Sequence, residues 1–305
     1  MNSNNEGQHF RTTSASGGAS ASTAAPSNPG DKQDPNRLSG PQDLESGGPT
    51  APPVQRYAGI ADGPRNHLIA VSAEFVGTFM FLLFAYVIAN ASNLAFLPAD
   101  QTKSDSNPAG ITMIAFGFGF SVMACVFCFF RVSGGHLNPS VTLTLALVRA
   151  VPPVRAVLLM VTQVIAGIAA AAAADAMTPG PVLFANALGE GVSRSRGVFL
   201  EMFATALLNM TVLFMAVEKS RATYMAPLVI GVALFVGHLF CVYYTGAGIN
   251  PARSFGPNVV MASFPDYHWI YWVGPILGSC LAAALHYYLK FLHYETCNPG
   301  QDAEF

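Results

Sequence analysis

Asn138-Pro139-Ser140 and Asn250-Pro251-Ala252 are near-identical tripeptides, one in each half of the chain. Each is approached through glycines and followed by an apolar run. The first stands in Gly134-Gly135-His136-Leu137-Asn138-Pro139-Ser140-Val141-Thr142-Leu143, the second in Thr245-Gly246-Ala247-Gly248-Ile249-Asn250-Pro251-Ala252-Arg253-Ser254. Asn-Pro is a helix start: Asn suits the N-cap, and Pro suits the first helical position, where a missing N–H costs nothing. Repeating it in both halves of an apolar chain predicts two short helices whose N-termini meet inside a membrane.

The surroundings are apolar enough for that. The chain is 52% hydrophobic and 10% charged, with a formal net charge of −2. Soluble domains carry about a quarter charged residues. The balance points to lipid as solvent and excludes a nucleic-acid surface, which needs clustered Lys and Arg. Of the cysteines, Cys125, Cys128, Cys241 and Cys280 lie in apolar runs and Cys297 does not, so a disulfide framework is not expected. Cys125 and Cys128 have redox spacing, but their surroundings are not the polar, accessible ones such chemistry needs. No basic segment followed by an apolar core marks a cleavable signal peptide. Residues 1–64 are rich in Ser, Gly, Ala, Asn, Pro and Gln. They offer too little apolar surface to offset their ordering entropy and are expected to form a disordered tail.

Six stretches have the length a membrane helix needs, about 20 apolar residues: 68–92, 109–131, 156–175, 197–217, 222–245 and 267–290. Two more, 137–148 and 250–262, are too short to cross and begin at the Asn-Pro motifs. Such backbone is tolerated at membrane depth only when protein surrounds it or it lines a watery cavity. Glu74 and Thr78 of the first span match Glu201 and Thr205 of the fourth. Three spans per half give the halves opposite topology, an inverted repeat. The expected fold is therefore an all-α membrane protein, with six transmembrane helices and two re-entrant half-helices over residues 65–293 and a short tail over 294–305. Arg56, Arg65, Arg131, Arg149, Arg155, Lys219, Arg221 and Lys290 fall on one side, against Lys103, Arg194 and Arg196 on the other. The positive-inside rule then makes both termini cytoplasmic.

The paired Asn-Pro loops, with Gly-Ile-Asn-Pro-Ala-Arg-Ser-Phe-Gly-Pro (248–257) and His-Trp-Ile-Tyr-Trp-Val-Gly-Pro (268–275), resemble the aquaporin, or major intrinsic protein, family over residues 66–292. The resemblance implies six tilted helices and two half-helices per protomer, a pore in each, four protomers per assembly, and no cofactor. It also assigns an outer constriction by offset: Phe118, twenty residues before Asn138; His238, twelve before Asn250; Ala247; and Arg253. The carbonyls of Gly134, Gly135, His136, Gly246, Ala247, Gly248 and Ile249 would form an acceptor ladder. Glycine gives such a strand the dihedrals it needs.

Two facing half-helices place about half a positive charge each at the pore centre, which repels cations. The amides of Asn138 and Asn250 can donate to a water oxygen and turn its protons away from the junction. Arg253 at membrane depth costs about 2.5–3.5 kcal/mol even on gentler scales, so carbonyls or pore water must solvate it. Phe, His and Arg around one opening suit water. Glycerol-conducting relatives replace the His with a small residue and place Asp after the Arg, where this chain has Ser254; Tyr271 and Trp272 are also aromatic here. Glu74 and Glu201 are expected to accept hydrogen bonds from the re-entrant loops, since an unpaired buried carboxylate is costly. The alternative is a protonated acid facing another helix.

Ser140 departs from the family's usual Ala, and its hydroxyl can bond back to helix backbone. Ala247 stands where many relatives carry a mercury-sensitive Cys, so weak inhibition by mercurials is expected. Asn258 has no account at this level. The long tail resembles those of fungal water channels, which makes Tyr57 a candidate gate at the cytoplasmic mouth. Ser133, two residues after Arg131, is a second candidate, through phosphorylation. Neither nucleophile–base pairing nor metal-spaced clusters point to an enzyme. The leading expectation is a passive water channel of the plasma membrane, with an intracellular membrane as the alternative location. A small-neutral-solute facilitator and a non-conducting junction or sensor protein remain open.

Overall fold

A computed structural model describes residues 62–95 and 107–298. Its long helices are α1 (Asp62–Ala95), α2 (Pro108–Phe129), α4 (Pro153–Met177), α5 (Arg194–Val212), α6 (Ala226–Thr245) and α8 (Ile270–Phe291); the short ones are α3 (Pro139–Leu147) and α7 (Pro251–Val260). With their extensions, all six long helices are long and apolar enough to cross a membrane. Local chemistry sets their ends. Asn107 caps α2, its Oδ1 accepting the Ala109 N–H at 2.8 Å ahead of Pro108. Ser193 caps α5, and Gly246 ends α6 in the left-handed conformation. α1 starts at Asp62, ahead of the apolar run expected from Leu68, because Pro64 is tolerated in a first turn and the polar Arg65, Asn66 and His67 extend the helix past its apolar part. α5 continues through a π-turn over Leu213–Val217, and a 3₁₀ turn over Arg221–Met225, capped by Ser220, leads into α6.

An even number of crossings returns the chain to the face where α1 begins. α3 enters from this face and α7 from the opposite one. The packing follows the repeat: α1 lies against α2 and α4, α5 against α6 and α8, and α2 against α6 at the centre. Each half-helix packs on the last crossing of the other half, α3 on α8 and α7 on α4. Small residues bring these pairs together. A Cβ on Gly119 would lie 2.9 Å from the Gly231 carbonyl, and one on Gly231 would lie 2.9 Å from the Gly119 carbonyl, so α2 and α6 touch backbone to backbone. Likewise Gly167 of α4 would meet the Ala252 carbonyl at 2.6 Å, which seats α7 against α4.

Candidate functional site

The two loops ahead of the half-helices share one construction. The first and third residues before each Asn have positive φ: Leu137 (53°) and Gly135 (60°) in one loop, Ile249 (58°) and Ala247 (52°) in the other. For non-glycine residues such backbone costs about 1–3 kcal/mol each and persists only where the surroundings fix it. Here buried carboxylates do so. Glu74 accepts the His136 N–H (2.9 Å) and the Leu137 N–H (2.8 Å), plus the Ser133 hydroxyl (2.6 Å) and Gln163 Nε2 (2.8 Å). Glu201 accepts the Gly248 N–H (2.8 Å), the Ile249 N–H (2.6 Å) and the Thr245 hydroxyl (2.6 Å). Both acids are fully buried, and the four backbone N–H groups they accept, of His136, Leu137, Gly248 and Ile249, are ones the strained loops would otherwise leave unpaired.

The loops deliver Asn138 and Asn250 to one point. Asn138 Oδ1 caps α3 through the Ser140 N–H (2.9 Å), and Asn250 Oδ1 caps α7 through the Ala252 N–H (2.9 Å). Their amides then exchange partners across the junction: Asn138 Nδ2 donates to the Ile249 carbonyl (3.2 Å) and Asn250 Nδ2 to the Leu137 carbonyl (3.1 Å). Each NH₂ carries two donors, so one N–H of each remains beyond this tie. Both residues line the same cavity. Ser140 reinforces the junction, its hydroxyl lying 2.8 Å from Asn138 Oδ1 and 3.2 Å from the Ile249 carbonyl rather than back-bonding within its helix.

Three of the four residues expected at the constriction, Phe118, His238 and Arg253, lie together. Phe118 and His238 stack with ring centroids 4.2 Å apart at 22°, and the Arg253 guanidinium carbon lies 4.9 Å from the Phe118 centroid. His238 Nδ1 faces the Leu234 carbonyl at 2.9 Å; a carbonyl only accepts, so this nitrogen carries the proton in the neutral ring and Nε2 is left as an acceptor. The guanidinium donates to the carbonyls of Phe184 (2.9 Å) and Gly246 (3.3 Å). His238 Nε2 and Arg253 Nε have no hydrogen-bond partner. A cavity of about 350 Å³ runs from Ala150, Val151 and Lys219 past Asn138 and Asn250 to Phe118, His238 and Arg253. A second, of about 540 Å³, is lined by Asn93, Asn107, Glu190, Gly246 and Arg253. Arg253 is the one lining residue they share.

Gly134, Gly135, His136 and Gly248 line the first cavity and Gly246 the second. Ala247 is fully buried and lines neither. The Ile249 carbonyl, expected in the ladder, accepts from Asn138 Nδ2 and the Ser140 hydroxyl and ties the loops together. Gly246's carbonyl is likewise engaged, by Asn186 Nδ2 at 2.7 Å as well as by Arg253. Ser133 is half-buried and its hydroxyl belongs to the Glu74 anchor. Tyr57 lies outside the described residues. Asn258 now has a role: it is buried and donates to the Ser263 carbonyl at 2.7 Å, closing the chain after α7. Sequence reasoning missed Gln163, Phe184 and Asn186, whose partners are distant along the chain. It also missed the hydroxyl of Tyr271, which donates to the Thr245 carbonyl at 2.7 Å.

Comparison with known proteins agrees with this geometry. The sequence matches the family described as "Major intrinsic protein" over residues 65–287. It is 54% identical over 235 residues to "Aquaporin-2" of Saccharomyces cerevisiae, covering 77% of this chain and 81% of that protein. It is 48% identical to "Aquaporin-1" of Gibberella zeae, covering 79% of this chain and 75% of that one. In fold it is similar to the aquaglyceroporin from Plasmodium falciparum, with a TM-score of 0.55 at 16% identity over 72% of this chain and 95% of that one. An inverted repeat joined at two Asn-Pro half-helices, with this match across most of its length, makes the chain a member of the major intrinsic protein family, the aquaporins, which are membrane channels and not enzymes.

Proposed function

We propose that this channel conducts water in single file and excludes glycerol, ions and protons. The observation that carries the reading is the neck formed by Phe118, His238 and Arg253. Two stacked rings and a guanidinium held by carbonyls leave little room in the neck, where the imidazole and the guanidinium are the polar groups. Water can use both within that space, whereas a three-carbon polyol needs a wider and more apolar wall.

Deeper in the pore, the remaining N–H groups of Asn138 and Asn250 donate to the oxygen of a passing water. A water that accepts both turns its hydrogens outward, which interrupts the proton-carrying file. The N-termini of α3 and α7, about half a positive charge each, repel cations at the same point. Carbonyls of Gly134, Gly135, His136 and Gly248 supply acceptors on the approach. In this reading both termini are cytoplasmic, the plasma membrane houses the protein, four protomers assemble with a pore in each, and no cofactor takes part.

Osmotic shrinkage of vesicles carrying the purified full chain tests it. Rapid shrinkage in sorbitol with no re-swelling in a glycerol gradient is expected. Re-swelling in glycerol as fast as shrinkage in sorbitol would replace this reading with a solute facilitator, and no acceleration over empty vesicles would leave a non-conducting member of the fold.

A further inference from the structure

Tyr86 of α1 is fully buried, lines neither cavity, and braces the neck from behind. Its hydroxyl donates to the Arg253 carbonyl at 2.8 Å. Its ring stacks on Phe184 with centroids 4.7 Å apart at 24°, and the Phe184 carbonyl accepts Arg253 Nη1 at 2.9 Å. One side chain therefore supports Arg253 at two points, its main chain directly and its head group through Phe184.

The hydroxyl bond meets a specific need of α7. In an α-helix the Arg253 carbonyl would accept from the N–H four residues on. That residue is Pro257, inside the helix, which has no N–H and whose ring crowds the same carbonyl. The carbonyl is thus an orphan by sequence, in a buried turn where an unpaired acceptor is costly. Tyr86 supplies the missing donor from another helix, 167 residues away in sequence. Phenylalanine would fill the same volume, so packing alone does not account for the hydroxyl.

We propose that Tyr86 is the positioning residue that holds Arg253 in the neck, and that its hydroxyl sets how strictly the channel separates water from small polyols. This rests on the water-selective reading above. Without the hydroxyl the first turn of α7 loses its tie to α1, the guanidinium moves more freely against Phe118 and His238, and the neck widens for part of the time.

The test is the ratio of glycerol to water permeability in vesicles carrying the purified full chain. Tyr86→Phe should raise the ratio about fivefold, the equilibrium equivalent of one net hydrogen bond, and Tyr86→Leu, which also removes the Phe184 stack, should raise it further. Pro257→Ala restores an N–H at position 257, so the double variant Tyr86→Phe/Pro257→Ala should return the ratio toward wild type, which loss of folding would not do. His238→Ala, which opens the neck directly, serves as the positive control. A wild-type ratio in Tyr86→Phe, with His238→Ala raised, would overturn the proposal while leaving the selective channel intact. Failure of Pro257→Ala to rescue would overturn the route through the Arg253 carbonyl. A wild-type channel that already passes glycerol freely would overturn the selective reading, and this proposal with it.

Discussion

Glu201 illustrates how much of this molecule rests on single buried groups. Its two oxygens accept the Gly248 and Ile249 N–H groups and the Thr245 hydroxyl, holding Ile249 at a φ it would not adopt alone. Glutamine keeps one acceptor oxygen and turns an NH₂ toward the second backbone N–H, so Glu201→Gln should lower stability by about 1–3 kcal/mol. The checks are the unfolding temperature in detergent and water flux per channel; wild-type values of both would show that the loop holds itself. Glu74→Gln should be at least as damaging, since Glu74 takes four donors. His238→Ala acts on selectivity instead, because it removes the ring stacked at 4.2 Å on Phe118. Glycerol permeability should rise at least about tenfold, the scale on which steric fit discriminates, and an unchanged glycerol rate would place the narrowest point elsewhere. The acids were legible in the sequence because the repeat pairs them, and the His because the family resemblance sets its offset from Asn250. Tyr86 and Asn186 were not, since a lone Tyr or Asn in an apolar chain carries no local sign of its partner.

At the scale of elements, the close crossing of α2 and α6 makes the glycines there irreplaceable by bulk. Gly231→Val would drive atoms into Met123 Cβ, already 2.7 Å from an added Cβ, and into the Gly119 carbonyl. Overpacking of this kind costs about 1–3 kcal/mol, so the yield of folded, monodisperse protein should fall, and a wild-type yield would mean that the helices can separate without cost. The connection between α5 and α6 is fastened differently. Glu218 accepts from His286 Nε2 (2.7 Å), Lys290 Nζ (3.0 Å) and the Tyr294 hydroxyl (3.2 Å), tying the end of α5 to the end of α8. Partial burial pushes its pKa up, but the donations from His286, Lys290 and Tyr294 together outweigh that and hold it below the ordinary carboxylate value. A depressed carboxylate contributes stability above its unfolded pKa and loses it as pH falls through the folded one. Wild type should therefore exceed Glu218→Gln in thermal stability at pH 7, with the gap closing well below about pH 4. A gap independent of pH would assign the effect to packing. Spans and half-helices could be read from the sequence because apolar length and cap chemistry are local. The π-turn and the Glu218 cluster could not, since they depend on where α5 and α8 end relative to each other.

For the whole molecule, the inverted repeat follows from counting crossings and matching Glu74 with Glu201, and the structure adds the reciprocal lock at its centre. Asn138 reaches the Ile249 carbonyl and Asn250 the Leu137 carbonyl, so each half completes the other's loop. No local pattern announces that exchange, because it depends on where the two half-helices meet. The most direct test of the facing dipoles and paired amides is to measure water and proton flux together in vesicles of the purified protein holding a pH-sensitive dye. Shrinkage in sorbitol should be many times faster than in protein-free vesicles, while proton entry down an imposed pH gradient stays at the protein-free rate. Proton entry that rises with the number of channels would contradict a junction that breaks the hydrogen-bonded file.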